Sequence, residues 1–169
     1  MTSEATVVVR ALQASDHADW AVLYRGYRAF YKETPDDAIV DAVWEWLIDP
    51  EHPLTAVVAV LGGRVVGLAH VRPYPEPSNA TVGLFLDDLF TAPDARGRGV
   101  AHALLEELAA IAERDGYAVV RWITAHDNAR ARRVYDAVAE ATPWVTYDMK
   151  PGKPTHAEAI EADLVSEGA

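Results

Sequence analysis

Apolar positions recur along this chain in two rhythms, and the switches between them predict its elements. Thr6 to Leu12 is rich in valine and reads as a first strand. Ser15 or Asp16 can cap a helix in which Trp20, Leu23, Tyr24, Tyr27 and Phe30 recur at three and four, the spacing of one helical face. Pro35 and the two aspartates after it restart a second helix, with Ile39, Val43, Trp46 and Leu47 on one side. Leu54 to Leu61 and Arg64 to Val71 flank Gly62-Gly63, a two-residue hairpin signal. A loop holding Pro73, Pro75 and Pro77 is expected next, then a strand from Thr81 to Phe90.

A glycine-rich turn follows, and then a helix with Val100, Leu104, Leu108, Ile111 and Ala112 as its apolar stripe. Gly116 sits where a glycine just past a helix C-terminus belongs. Ala118 to Ala125 reads as a buried strand. Asn128 to Ala139 reads as a helix with Ala131, Val134, Tyr135 and Val138 on one face, and Trp144 to Met149 alternates as a last strand should. The order β-α-α-β-β-β-α-β-α-β predicts a mixed α/β sheet with helices on both faces, combining hairpins with strand–helix–strand crossovers. No repeat or linker interrupts it. A single domain over 1–150 is expected, followed over 151–169 by a tail with four acidic residues against one lysine.

Composition narrows the function. The net charge of −11 argues against a nucleic-acid partner, because phosphate binding needs a basic face. It accords with cationic substrates such as amines, and equally with plain solubility. Without cysteine there is no disulfide framework, thiolate metal site or cysteine nucleophile. The first residues lack the basic and apolar regions of a signal peptide, and no stretch nears the ~20 apolar residues of a membrane span. A cytoplasmic protein is expected.

The locally basic turn Arg96-Gly97-Arg98-Gly99-Val100-Ala101 stands out in so acidic a chain. Glycines at a strand-to-helix turn bare successive N–H groups at the positive end of the helix, a ready anion site, and Arg96 and Arg98 can add charge-assisted hydrogen bonds. A P-loop needs Lys followed by Ser or Thr, which are missing, and the dinucleotide fingerprint needs a glycine where His102 stands. A plain tight turn is the alternative.

Arg96-x-x-Gly99-x-Ala101 resembles the Q/R-x-x-G-x-G/A loop of the GNAT superfamily of acetyl-CoA-dependent N-acetyltransferases. Asn128, Ala131 and Tyr135 follow a strand at the superfamily's distance, so the strong match runs from about Leu84 to Ala139. FLDDLF, before the loop, and FYKET, at the end of the first helix, are similar to the spermidine/spermine N-acetyltransferases and to small amine or amino-acid acetyltransferases. The resemblance implies a mixed, mostly antiparallel twisted sheet of six or seven strands with about four helices, acetyl-CoA as cosubstrate, no metal and a possible homodimer. It places the diphosphate of coenzyme A on Arg96, Gly97, Arg98, Gly99, Val100 and Ala101. It sets the pantetheine beside the backbone of Leu89, Phe90 and Thr91, with Asn128 holding the cofactor from the other side. Asn128 also suits a helix N-cap, with Asp127 as rival.

Acetyl transfer to an amine needs a neutral nitrogen, although a free alkylamine has a pKa of about 10.4, and it needs a proton for the departing thiolate. With no cysteine, and no serine in a nucleophile-elbow setting, direct attack in a ternary complex is expected. The resemblance makes Tyr135 the acid, against the alternative of a core tyrosine with a satisfied hydroxyl. Asp87 and Asp88 are neighbours on a strand and should point to opposite faces, which argues against a shared-proton dyad. Set against the family it resembles, FLDDLF puts Asp87 where a glutamate often acts as general base, through water because aspartate is shorter; Asp88 is a candidate to steer a cationic acceptor, and the choice of base between the two stays open. Tyr27, Phe30, Tyr31 and Trp122 are candidates for the acceptor wall, though aromatics at helical spacing also build cores. His70, His102 and His126 do not fall at metal-ligand spacings, and surface or supporting roles are expected, with His126 a candidate relay. The expected reaction is acetylation of a primary amine of a small molecule, polyamine-like or an amino acid. The rivals are acetylation of a protein lysine or N-terminus, and a non-catalytic acyl-CoA-binding domain. The chain reads AVAEATPWVTY where many relatives carry a Gly-Phe pair, which leaves the acceptor wall near Thr142 to Trp144 open.

Overall fold

A computed structural model describes residues 6–152. The chain divides at Ala139 into two units, 1–139 and 140–169. The tail expected over 151–169 lies, apart from its first two residues, outside the described residues.

The first unit is built on one sheet in the order β1-β2-β3-β4-β5. β1 (Val8–Ala11) pairs with β2 (Thr55–Leu61), β2 with β3 (Arg64–Glu76) and β3 with β4 (Thr81–Thr91), all antiparallel. β5 (Val120–Arg121) joins β4 in parallel, through Leu84↔Val120 and Phe85↔Arg121 alone. The helices are α1 (His17–Phe30), α2 (Asp37–Ile48), α3 (Val100–Asp115) and α4 (Ala129–Tyr135).

The two sides of β3 show how the layers form, since successive side chains alternate between faces. His70 bonds Trp20 of α1, whereas a Cβ at Gly67 would meet Val100 and Leu104 of α3. So α1 covers one face and α3 the other. The stripe read from the sequence fills the second layer: Val100, Leu104, Leu108 and Ala112 are buried and Ile111 partly so, with Leu105 buried beside them. Gly116 ends α3 at φ 78°, and the Tyr117 N–H reaches back to the Ala112 carbonyl at 2.9 Å, a glycine-terminated helix as expected.

The mixed, mostly antiparallel α/β architecture agrees with expectation, but several bounds differ. Five strands pair among the described residues, not six or seven. The proline loop is instead the second half of β3. Pro73 stands opposite Leu84, whose own N–H goes to Val119 of the β5 side, so the proline's missing donor costs no bond to β4. The pairing with β2 ends at Val71, which leaves that edge free. Only two residues of the stretch 118–125 pair with β4, and Ile123 is exposed. α4 stops at Tyr135, although turn-like bonds continue to Ala139. Trp144–Met149 belongs to no strand, and Trp144 and Tyr147 are exposed, because alternation offers a face but not a partner strand. At the start of α1, neither Ser15 nor Asp16 caps with its side chain. The Asp16 carboxylate instead accepts from the Gln13 N–H at 2.8 Å and takes both arms of Arg10 at 2.6 and 2.8 Å.

Candidate active site

β4 and β5 part beyond Phe85, and a cleft of about 270 Å³ opens where they separate. Its floor is the end of β4 (Leu89, Phe90, Thr91), one end is the glycine-rich turn, and its far wall is α4.

A bulge in β4 sets the polarity of the floor. His70 pairs with Asp88 but Val71 with Leu86, which leaves Asp87 as the extra residue. Before the bulge the even-numbered Leu84 sends its N–H towards β5. After it, Ala92 donates to Val66 of β3 at 2.8 Å, so by alternation the Leu89 and Thr91 backbone groups face away from β3, towards the cleft. The Phe90 amide thus faces β3 rather than the cleft, unlike the reading from sequence.

At the turn, Gly97 and Gly99 have φ of 76° and 78°, the left-handed region that favours glycine. No side chain caps α3 and no acid stands in its first turn. The first intrahelical bond runs from Ala103 N–H to the Gly99 carbonyl at 2.9 Å. The N–H groups of Val100, Ala101 and His102 are thus left without helical acceptors, at the positive end of the helix. Arg96 leans over the Phe90 ring at 5.7 Å and holds the Thr91 carbonyl at 3.4 Å. Gly97, Gly99, Val100, Ala101 and Arg96 line the cleft, whereas Arg98 stands exposed outside its lining. Opposite, the Asn128 side chain both caps α4, accepting from the Ala131 N–H at 3.3 Å, and lines the cleft.

Tyr135 and Tyr31 border the far end of the cleft. Burial pushes the Tyr135 phenol up to about 12, with the Tyr31 hydroxyl adding to the rise. Its ring meets Trp122 edge-on at 5.3 Å. The Tyr31 ring lies tilted against Tyr27 at 4.9 Å, and Tyr27 is raised strongly by burial and by the Asp88 carboxylate beside it. An aromatic path therefore leads from Tyr135 to Asp88, although Tyr27, Trp122, Asp87 and Asp88 are not themselves part of the cleft lining.

The two aspartates do not point to opposite faces. Asp88 bonds His70 at 2.8 Å and Asp87 pairs with Arg72 at 3.0 Å, and His70 and Arg72, two residues apart on β3, share one face. The bulge accounts for this by breaking the alternation that the sequence argument assumed. Each carboxylate keeps its own basic partner. Burial pushes the Asp87 carboxyl up, Arg72 pulls it partly back, and the Asp88 charge adds to the rise. Of the histidines, His70 is fully buried rather than at the surface, His102 lines the cleft and pairs with Glu106, and His126 is exposed. Phe30 also lines the cleft. Arg130 and Val134 line it too without having been singled out for the site. Val134 was hidden in an apolar stripe that reads as core, while Arg130 sits two residues after Asn128 on the same short helix.

The profile of the Acetyltransferase (GNAT) family matches residues 20–139. The D-amino-acid N-acetyltransferase HPA3 of Saccharomyces cerevisiae is 29% identical over 143 residues, 83% of this chain and 89% of that protein. A ribosomal-protein-alanine N-acetyltransferase from Brucella melitensis biovar Abortus superposes with a TM-score of 0.70 at 25% identity, covering 86% of this chain and 99% of that one. The aminoglycoside N-acetyltransferase AAC(6')-Iy, solved in complex with CoA, shares the fold with a TM-score of 0.74 at 22% identity, covering 89% and 99%. With the family pattern spanning β2 to β5, the glycine-rich turn and α4, the chain belongs to the acetyltransferase (GNAT) family and is an acyltransferase.

Proposed function

We propose that this protein transfers the acetyl group of acetyl-CoA to a primary amine of a small molecule, a polyamine-like compound or an amino acid. The observation that carries the reading is the unpaired edge of β4, which runs from an uncapped helix N-terminus to Tyr135. Acetyl-CoA fits such a site: its diphosphate suits the free N–H groups of Val100, Ala101 and His102 with Arg96 beside them. Its pantetheine amides suit the outward backbone groups of Leu89 and Thr91, as an added strand would. Arg98, exposed at the turn, adds charge towards the phosphates, and Asn128 closes the other side.

When bound, acetyl-CoA supplies an activated acyl group and a sulfur leaving group. Tyr135 holds a proton at its Oη, and a phenol pushed up to about 12 keeps that proton across the working range and can release it to a departing thiolate. Asp87, raised by burial, is the general base, drawing the acceptor's proton through a water because its side chain is short. Asp88, with Tyr27, Tyr31 and Trp122, attracts and seats the ammonium form of the acceptor. An amino-acid acceptor gains support from the D-amino-acid relative, a small amine from the aminoglycoside enzyme that shares the fold.

A panel of polyamines, D- and L-amino acids and peptides, assayed by thiol release from acetyl-CoA, tests the reading. Turnover of small amines is expected, with Tyr135→Phe lowering kcat by about a hundredfold or more while the KM for acetyl-CoA holds. Full activity in Tyr135→Phe would remove that residue from the proton path, and activity confined to peptides would sink the small-molecule acceptor.

A further inference from the structure

Trp20 on α1 and His70 on β3 are both 0% exposed, in positions where an apolar pair would pack without any polar obligation. They are nevertheless joined, with Trp20 Nε1 2.9 Å from His70 Nε2. An indole N–H can only donate, so His70 Nε2 is the acceptor and carries a lone pair. The one proton of the ring then sits on Nδ1, which lies 2.8 Å from Asp88 Oδ2 and donates to it. The imidazole is flanked by the Trp20 ring at 5.8 Å and the Tyr24 ring at 5.3 Å, and each of its nitrogens has one polar partner. The chain of bonds thus has a single direction: indole to imidazole to carboxylate.

It ends on a group that is not buried. Asp88 is 18% exposed, and its Oδ2 is engaged by His70 while Tyr27 lies beside the carboxylate. Tyr27 in turn leads to Tyr31 at the cleft. A partly exposed carboxylate, with one oxygen on His70 and the Tyr27 phenol beside it, matches an alkylammonium group by charge and by hydrogen bonding.

We propose that Trp20 and His70 are positioning residues, a buried relay that fixes the His70 tautomer and so aims the Asp88 carboxylate at the cationic nitrogen of the acceptor. The inference rests on the small-amine reading above and adds the core residues that enforce it. Acceptor binding, not acetyl-CoA binding, depends on a tryptophan N–H two hydrogen bonds away.

Nitrogen-15 NMR of the full-length protein reads the tautomer directly, whatever the activity. The proton of His70 is expected on Nδ1 in the wild type, and a wild-type spectrum with the proton on Nε2 overturns the proposal at once. Trp20→Phe keeps a ring in the core but removes the donor, so the Nε2 lone pair loses its partner and the imidazole loses one of its two tethers, while Nδ1–H still donates to Asp88. With a cationic amine as acceptor, its KM should rise about tenfold or more, the scale of a hydrogen bond to a charged group, while the KM for acetyl-CoA stays put. His70→Asn, whose amide N–H can stand in for Nδ1–H, should keep more acceptor affinity than His70→Leu. Unchanged acceptor KM in His70→Leu, or equal shifts for both substrates, overturns the relay. A wild type that turns over no amine overturns the functional reading instead, and the tautomer measurement separates the two failures.

Discussion

Burial acts on single residues here in opposite directions, according to the partner each one finds. Tyr135 has no cation beside it, so desolvation dominates and its phenol stays protonated. Asp16 is also buried, yet Arg10 meets it with two hydrogen bonds and holds its carboxyl below the usual range. The sign of the pH dependence follows. A carboxyl with a depressed folded value contributes stability that is fully present above the unfolded value of about 3.9 and is lost as pH falls through the folded one. Asp16→Asn should therefore cost about 2 kcal/mol at neutral pH, the scale of hydrogen bonds to a charged group. Thermal melts from pH 7 to pH 2 should show the variant and wild type converging below about pH 4. A gap that persists at pH 2 would mean that packing, not charge, is what the substitution disturbed.

Among the elements, α3 couples the core to the cleft, because the helix that buries Leu104 and Leu108 also begins at the glycine-rich turn. Gly67 is where it lies closest to β3: a Cβ there would stand 2.6 Å from Val100 Cγ1 and 3.2 Å from Leu104 Cδ1. Gly67→Ala should cost about 1–3 kcal/mol by overpacking and, by shifting Val100, should also weaken acetyl-CoA binding. Gly116→Ala, at the other end of the same helix, meets nothing within 4 Å but is strained at φ 78°. It should cost about 1 kcal/mol and leave acetyl-CoA affinity alone. Melting and calorimetric titration of the two variants separate these outcomes, and equal loss of affinity in both would refute the coupling. Most elements were legible in the sequence because each rests on its own periodicity: the Gly62-Gly63 hairpin and the α3 stripe needed no distant information. The Trp144–Met149 strand and the length of β5 failed for the converse reason, since pairing is decided by the neighbouring strand.

Over the whole molecule, charge is divided by region. A chain of net charge −11 gathers Arg96 and Arg98 at the turn and Arg130 on α4, while Asp87 and Asp88 precede Leu89 of the cleft floor on β4, away from the turn. Anionic cosubstrate and cationic acceptor would then be drawn to separate regions. Raising the salt concentration should lower kcat/KM for a multiply charged polyamine more steeply than for a singly charged amine, because screening acts on each charge. Equal salt slopes for the two acceptors would show that the acidic end does not steer them.

The sequence by itself determined the kind of protein this is. Arg96 to Ala101 needs only local geometry to make a helix N-terminus with free donors, and the family resemblance added Asn128 and Tyr135 at their distance from it, so these residues could be singled out without coordinates. It also marked Asp87 and Asp88 as the acids of interest. Only the tertiary structure decided where those acids point and what they pair with. A bulge, visible only in the register of β4 against β3, put both carboxylates on one face and turned Leu89 and Thr91 towards the cleft. His70 and Trp20 are 50 residues apart in the chain, and a hydrogen bond across a buried layer has no periodicity to betray it. Local rhythm records which face a residue takes; the partner waiting on that face is set by how the layers pack.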